Sequence, residues 1–242
     1  MSRPLLRWVD PDDPLPPAHL ALRQPNGLLA AGHDLSAARL LEAYRHGIFP
    51  WYSAGQPVLW WSPDPRMVLD LSRFKVSRSL VKTVRRVRRE ARWRISLDRN
   101  FEAVMDACAA PREGLGDGTW ITPDVKSAYC DLHRQGFAHS VEICDEDNSL
   151  VGGLYGVSIG RMFYGESMFA REPDVSKIAL YALVELLRAH GFRVIDCQQN
   201  TRHLASLGAT EVPRVTFLSD VSELAALPPP DWTSVGIAFP DA

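Results

Sequence analysis

The chain has 242 residues, 46% of them hydrophobic and 23% charged, with a formal net charge of −2. This is the composition of a soluble globular protein with one large domain or a small one plus a medium one, and its net charge excludes a uniformly basic nucleic-acid binder. No apolar run reaches the length of a membrane span and the first residues lack a signal-peptide pattern, so a cytoplasmic protein without membrane contact is expected.

Residues 1–18 are rich in proline and acid and predict an irregular surface arm. Asn26-Gly27 marks a turn, and a helix follows over about Ser36–His46, with Ser36 as N-cap and Gly47 past its end. Leu40, Leu41 and Tyr44 are its inward residues. The segment Phe49–Arg66 carries Trp51, Tyr52, Trp60 and Trp61 among Pro50, Pro57, Pro63 and Pro65. That proline density argues against a long helix or a central strand. An aromatic loop stiffened in this way suits the stacking of a planar ring, or a small aromatic core beneath a loop.

Arg73–Arg94 holds ten cations against Glu90 alone. Taken from totals of 27 and 29, this leaves 17 cations and 28 acids elsewhere, so positive potential is concentrated in one stretch. Helical spacing sets Lys82, Arg85, Arg86 and Arg89 on one side, with Val81, Val84 and Val87 able to turn inward. Such a run is either a solvated face or a phosphate-contacting surface; its imbalance favours phosphate contact, which positions a nucleic acid without reading its sequence. Helices are expected over 99–112 and from Thr122-Pro123 to about Gly136, separated by a glycine-rich loop over 111–122, with a strand over 138–143.

The organising stretch is Leu150–Asn200. LVGGLYGVS and MFYGESMFA read as two strands joined by a turn at Ile159-Gly160-Arg161. Ser176–His190 is an amphipathic helix with Leu180, Leu183, Val184 and Leu187 at i, i+3, i+4 and i+7, capped by Asp174 or Ser176. Phe192–Gln198 predicts a strand, on which Asp196 and Gln198 project to one side. A carboxylate and an amide presented together at the end of an apolar strand are costly unless they serve each other or a ligand. A short helix near His203–Leu207 and a last strand at Val215–Leu218 complete the chain. Cys108, Cys130, Cys144 and Cys197 form no CxxC pair, so neither a zinc site nor a disulfide framework is expected.

VGGLYGVSIGRMFYGESMF, Ser176-Lys177, IDCQ and LASLGA, together with FPWYS, LWWSPDPR and TWIT upstream, resemble the bacterial leucyl/phenylalanyl-tRNA–protein transferases from about Asn26 to Pro213. The resemblance implies an α+β fold, a mixed α/β sheet, with a small N-terminal domain (1–64) and a larger domain (65–242) like the N-acetyltransferase (GNAT) superfamily. It implies transfer of Leu or Phe, and Met less well, from aminoacyl-tRNA to proteins beginning with Arg or Lys, marking them for degradation by the N-end rule. By matching positions it assigns catalysis to Asp196 and Gln198, the acceptor contact to Glu166, and the adenosine end of the tRNA to Trp51 and Trp120. The donor side chain falls to Leu154, Phe163, Met168, Leu180, Leu183, Leu187 and Ile195.

The ester of an aminoacyl-tRNA is already activated, so its aminolysis requires no cofactor and no metal, and a monomer is expected. A catalyst must align amine and carbonyl, keep the amine neutral and stabilise the oxyanion. Asp196 is the candidate to accept or relay the amine proton or to hold its ammonium precursor, and Gln198 the candidate to donate to the carbonyl oxygen and orient the carboxylate's partner. The two residues do not by themselves fix which does which, and the tRNA ribose hydroxyl is an alternative route for the proton. The rival readings are a CoA-dependent N-acetyltransferase and a non-catalytic tRNA-binding protein. Against the first, REPDVSKIAL, which follows the second strand of the hairpin, contains no glycine for a pyrophosphate loop.

Overall fold

The computed structural model describes residues 6–110 and 119–241. The glycine-rich loop expected over 111–122 falls largely outside them.

The chain opens with β1 (Arg7–Val9), β2 (Leu28–Gly32), α1 (Ala37–Arg45), β3 (Phe49–Pro50) and β4 (Val58–Trp61). Together the strands form a four-stranded sheet ordered β1-β2-β4-β3, with β1 parallel to β2. The N-terminal arm is therefore not wholly irregular. The buried Arg39 guanidinium binds the carbonyls of Asp10, Pro11 and Asp13 and pins the arm onto α1. β4 corrects a second expectation. It lies inside the proline-dense segment yet occupies an interior position, because Pro57 and Pro63 flank the ladder instead of interrupting it.

The remaining elements are β5 (Arg66–Asp70), α2 (Arg78–Glu90), β6 (Arg94–Leu97), α3 (Phe101–Ala109), α4 (Pro123–Arg134), β7 (Ala138–Cys144), β8 (Leu150–Ile159), β9 (Met162–Ala170), α5 (Val175–Ala189), β10 (Val194–Asp196), α6 (Arg202–Ser206), β11 (Thr210–Val212) and α7 (Arg214–Leu224). Several start where a side chain takes up an orphan N–H: Ser36, Ser77, Asn100, Thr122 and Thr201 each accept from the residue three positions on. Asp174 precedes α5 but makes no such cap. The segment expected as a last strand is instead α7. Pro213 precedes its first turn, and Phe217, Val221 and Leu224 recur at i, i+4 and i+7 as its buried stripe.

The seven-stranded sheet runs β11-β5-β10-β9-β8-β7-β6, and β10 beside β9 is its parallel pair. β8 is almost continuously buried because both of its faces are covered. On one face α3, α4, α1 and the small sheet pack over Tyr155 and Tyr164; on the other, α5 and α2 pack over Leu154 and Phe163. Gly152 permits α5 to lie this close: a Cβ there would stand 2.1 Å from Val175 Cγ1. The architecture is α+β, a mixed sheet between two helical layers.

Candidate active site

Two irregularities at the same end of neighbouring strands open the sheet. The first is a bulge in β9. Tyr155 pairs with Ser167 and Gly156 with Gly165, which leaves Glu166 as the extra residue. A bulge reverses the parity of the strand beyond it. Thus Met168, opposite Leu154, joins the α5 face, while Glu166 turns to the opposite face. The second is at β10, which ends at Asp196, two residues short of the end of the strand predicted over Phe192–Gln198. Gln198 follows in the left-handed region, at φ 54°.

Between these irregularities lies a cavity of about 550 Å³. Trp51, Phe49 and Trp120 form its aromatic mouth, and Leu154, Met168, Leu180, Leu183 and Ile195 an apolar slot. Glu166 and Gln198 bring polarity to the floor, and Gln199, Thr201 and His203 also line the cavity. Trp51 is exposed, at 43%, whereas Trp60 and Trp61 are buried. Trp61 Nε1–H donates to the Trp51 carbonyl at 2.7 Å, and the two rings meet edge to face. The small sheet therefore holds Trp51 as a rigid wall.

Three predicted residues sit elsewhere. Phe163 and Leu187 are fully buried in the core between sheet and α5 and do not line the cavity. Asp196 is also fully buried and does not reach the cavity. The expected common face with Gln198 fails because Gln198 has left the strand, so side-chain alternation no longer relates the two. Asp196 turns instead toward Arg66, which donates from Nε at 2.8 Å and from Nη2 at 2.6 Å in a bidentate pair. Arg66 Nη1 donates to the Gly47 carbonyl beyond the end of α1, and the guanidinium lies between the rings of Phe49 and Phe217. Asp196 is still tied to the cavity, since its Oδ1 accepts the backbone N–H of Gln198 at 2.9 Å. The carboxylate fixes the backbone that presents Gln198.

Glu166 is half-buried beneath side chains from three other parts of the chain; of the two phenols among them the sequence places only Tyr44, as an inward helix residue. Tyr44 from α1 donates to Glu166 Oε1 at 2.8 Å, Tyr129 from α4 to Oε2 at 3.3 Å, and Gln198 Nε2–H to Oε1 at 3.2 Å. The two phenol oxygens are also hydrogen-bonded to each other. Burial pushes the Glu166 carboxyl up to about 8; hydrogen bonds from Tyr44 and Tyr129 oppose this and the Asp196 charge adds to it. Burial and the Glu166 charge hold both phenols well above their usual range. Burial also raises the Cys197 thiol, which makes this cavity-lining cysteine a poor nucleophile. His203 is lowered by burial and by Lys177. Arg66, Tyr44, Tyr129 and His203 were not singled out for the site from the sequence. Arg66, inside the PDPR motif, was the one legible signal, and only its burial explains it.

On α2, Leu80, Val84 and Val87 are buried, and Lys82, Arg85, Arg86 and Arg89 are exposed. Val81 is only half-buried. Among the described residues no group of three or more His, Cys, Asp or Glu is placed to hold a metal, and no helix is long and apolar enough to cross a membrane.

Fold and cleft together define a mixed α/β protein with an amphipathic cavity lined by tryptophans and by a hydrogen-bonded carboxyl–amide pair. Residues 68–222 match the family model for leucyl/phenylalanyl-tRNA protein transferase, and residues 33–64 the model for its N-terminal domain. A leucyl/phenylalanyl-tRNA–protein transferase of Paraburkholderia phytofirmans is 58% identical over 232 residues, 94% of this chain and 94% of its own length. One from Bordetella avium is 56% identical over 230 residues, 93% of this chain and 91% of its own. A solved GCN5-related N-acetyltransferase from Kribbella flavida gives a TM-score of 0.37 at 12% identity, covering 71% of this chain and 59% of that one. The chain belongs to the leucyl/phenylalanyl-tRNA–protein transferase family.

Proposed function

We propose that the protein moves a leucyl or phenylalanyl group, and methionyl less efficiently, from tRNA to the α-amine of proteins that begin with Arg or Lys. The product is a new peptide bond and an N-terminus destined for N-end-rule degradation, and the enzyme works as a cytoplasmic monomer. The observation that carries this reading is the division of one cavity into an aromatic mouth, an apolar slot and a polar floor. Those three surfaces suit the three parts of an aminoacyl-adenosine awaiting attack: base, side chain and ester.

In this reading the adenine stacks at Trp51 and Trp120, and stacking of this kind is worth roughly 1–3 kcal/mol per base. Leu154, Met168, Leu180, Leu183 and Ile195 enclose the donor side chain. Their shape separates Leu or Phe from smaller side chains by only about 1–3 kcal/mol per methylene. Gln198 donates an amide N–H to the carbonyl oxygen as it gains charge. Asp196 acts one step back, because its contact with the Gln198 N–H and its pair with Arg66 hold that amide in place. The exposed cations of α2 meet tRNA phosphates.

The test is transfer of labelled Leu from Leu-tRNA to a panel of peptides differing only in their first residue. Incorporation into peptides beginning with Arg and Lys, but not Glu, is the expected result. Incorporation into none of them, with charged and uncharged tRNA bound equally, would replace the enzyme by a tRNA-binding protein. Thermal stabilisation by acetyl-CoA would favour an acetyltransferase.

A further inference from the structure

Tyr44, Tyr129 and Glu166 close a ring of three oxygen–oxygen contacts: phenol to phenol, Tyr44 to Oε1 and Tyr129 to Oε2. Each contact needs one hydrogen, and each phenol has one to give. If Glu166 is ionised, two hydrogens serve three contacts. One contact is then left lone pair to lone pair: between the two phenols if both point at the carboxylate, or between a phenol and the carboxylate if one phenol donates to the other. If Glu166 carries a proton, every contact is filled: one phenol donates to the other, the second donates to the carboxyl, and the carboxyl closes the ring. Gln198 can donate to Oε1 in either state.

We infer that Glu166 is a protonated, neutral carboxylic acid in the free protein and loses that proton when a cationic N-terminus binds beside it. The inference deepens the acceptor role of Glu166 given above and rests on it. The groups facing Glu166 act in concert. Tyr44 from α1, Tyr129 from α4, Tyr155 from β8 and Tyr164 from β9 are buried phenols that bring no positive charge. Asp196 from β10 is an anion whose own counter-ion, Arg66 from β5, is already committed to it. Arg66 lowers Glu166 only weakly from its place on Asp196, and among the described residues no cation is ion-paired to Glu166 itself, so the compensating charge has to arrive with the substrate. The site is thereby specified for an ammonium group: a neutral, acetylated terminus has no charge with which to displace the proton.

The same ring gives the reaction a place for its proton. The bound ammonium transfers H⁺ to the Glu166 carboxylate, leaving a neutral amine and restoring the filled ring. The amine nitrogen then bonds to the ester carbonyl carbon, the carbon–oxygen bond to the ribose breaks, and the nitrogen's second proton passes to the departing ribose oxygen. Charge and atoms balance without a further base.

The test has two arms. In the free protein with ¹³Cδ-labelled glutamate, one carboxyl resonance should titrate near pH 8 and be missing from Glu166→Gln, in which an amide of the same shape keeps the fold. In calorimetry at pH 7, a peptide beginning with Arg should release about one proton, read from the change in binding enthalpy across buffers of different ionisation enthalpy. The N-acetylated peptide and the Glu166→Gln protein should show no release. A Glu166 resonance titrating in the ordinary carboxylate range overturns the inference whatever the peptide does. Raised titration with binding but no proton release overturns the linkage. Raised titration with no peptide binding removes the acceptor assignment, and the linkage with it, while the protonated ring is upheld by its own titration.

Discussion

Replacing Asp196 with alanine separates what the carboxylate does for the fold from what it does for the cavity. Arg66 and Asp196 are both fully buried and joined by two hydrogen bonds, with Phe49 and Phe217 over the guanidinium faces. Removing one member of such a pair leaves an uncompensated buried charge, a loss of about 3–5 kcal/mol. For a chain of this size each kcal/mol lowers Tm by about 2–4 °C, so Asp196→Ala should melt roughly 6–20 °C below the parent. Urea unfolding followed by circular dichroism should show the same loss as a lower midpoint. An apolar replacement of both partners, Arg66→Met with Asp196→Leu, removes the stranded charge and should recover most of that stability. Transfer of labelled Leu should not recover with it, because the Gln198 N–H still lacks its acceptor at 2.9 Å. A midpoint for Asp196→Ala equal to the parent's would refute the buried-pair argument. Recovery of transfer in the double variant would show that Asp196 supports catalysis through stability alone.

Two further outcomes follow from the same geometry. Lys82→Ala with Arg86→Ala removes two exposed cations from α2 and should reduce the slope of log affinity for tRNA against log salt by about 1.4–1.8, with the fold intact; an unchanged slope would return α2 to a solvated face. Glu166 has a folded-state value of about 8, well above that of an unfolded glutamate, so between about pH 5 and 8 the native state binds more protons and stability falls as pH rises. Glu166→Gln should flatten that decline and be relatively more stable at pH 8 than at pH 5, as read from urea midpoints at both; parallel profiles would contradict a proton on Glu166.

Local patterns reached far into this protein. Ser36, Thr122 and Gly47 stood where helix ends needed them, the stripe of α5 came from its period, and the paired glycine-rich strands came from composition. Hydrophobic spacing failed at 215–218, where three apolar positions in four residues suit a strand or a helix alike. Only the recurrence at Val221 and Leu224 identifies α7. It also misjudged β4, since proline excludes a residue from the ladder only where it stands, and here it stands at the flanks.

The chain's own chemistry thus determined the elements, the basic face of α2, and the list of aromatic and polar groups from which a site could be drawn. Which of those groups meet was decided by two departures from strand regularity, the bulge at Glu166 and the left-handed backbone at Gln198. Neither is a property of composition or period. A bulge depends on the register of a partner strand, and a left-handed residue outside glycine is held by tertiary contacts. So Asp196 went to Arg66, Glu166 to Tyr44 and Tyr129, and Gln198 alone of the expected pair reached the cavity. These partners lie between 32 and 130 residues apart in the chain, a separation across which sequence spacing carries no orientation.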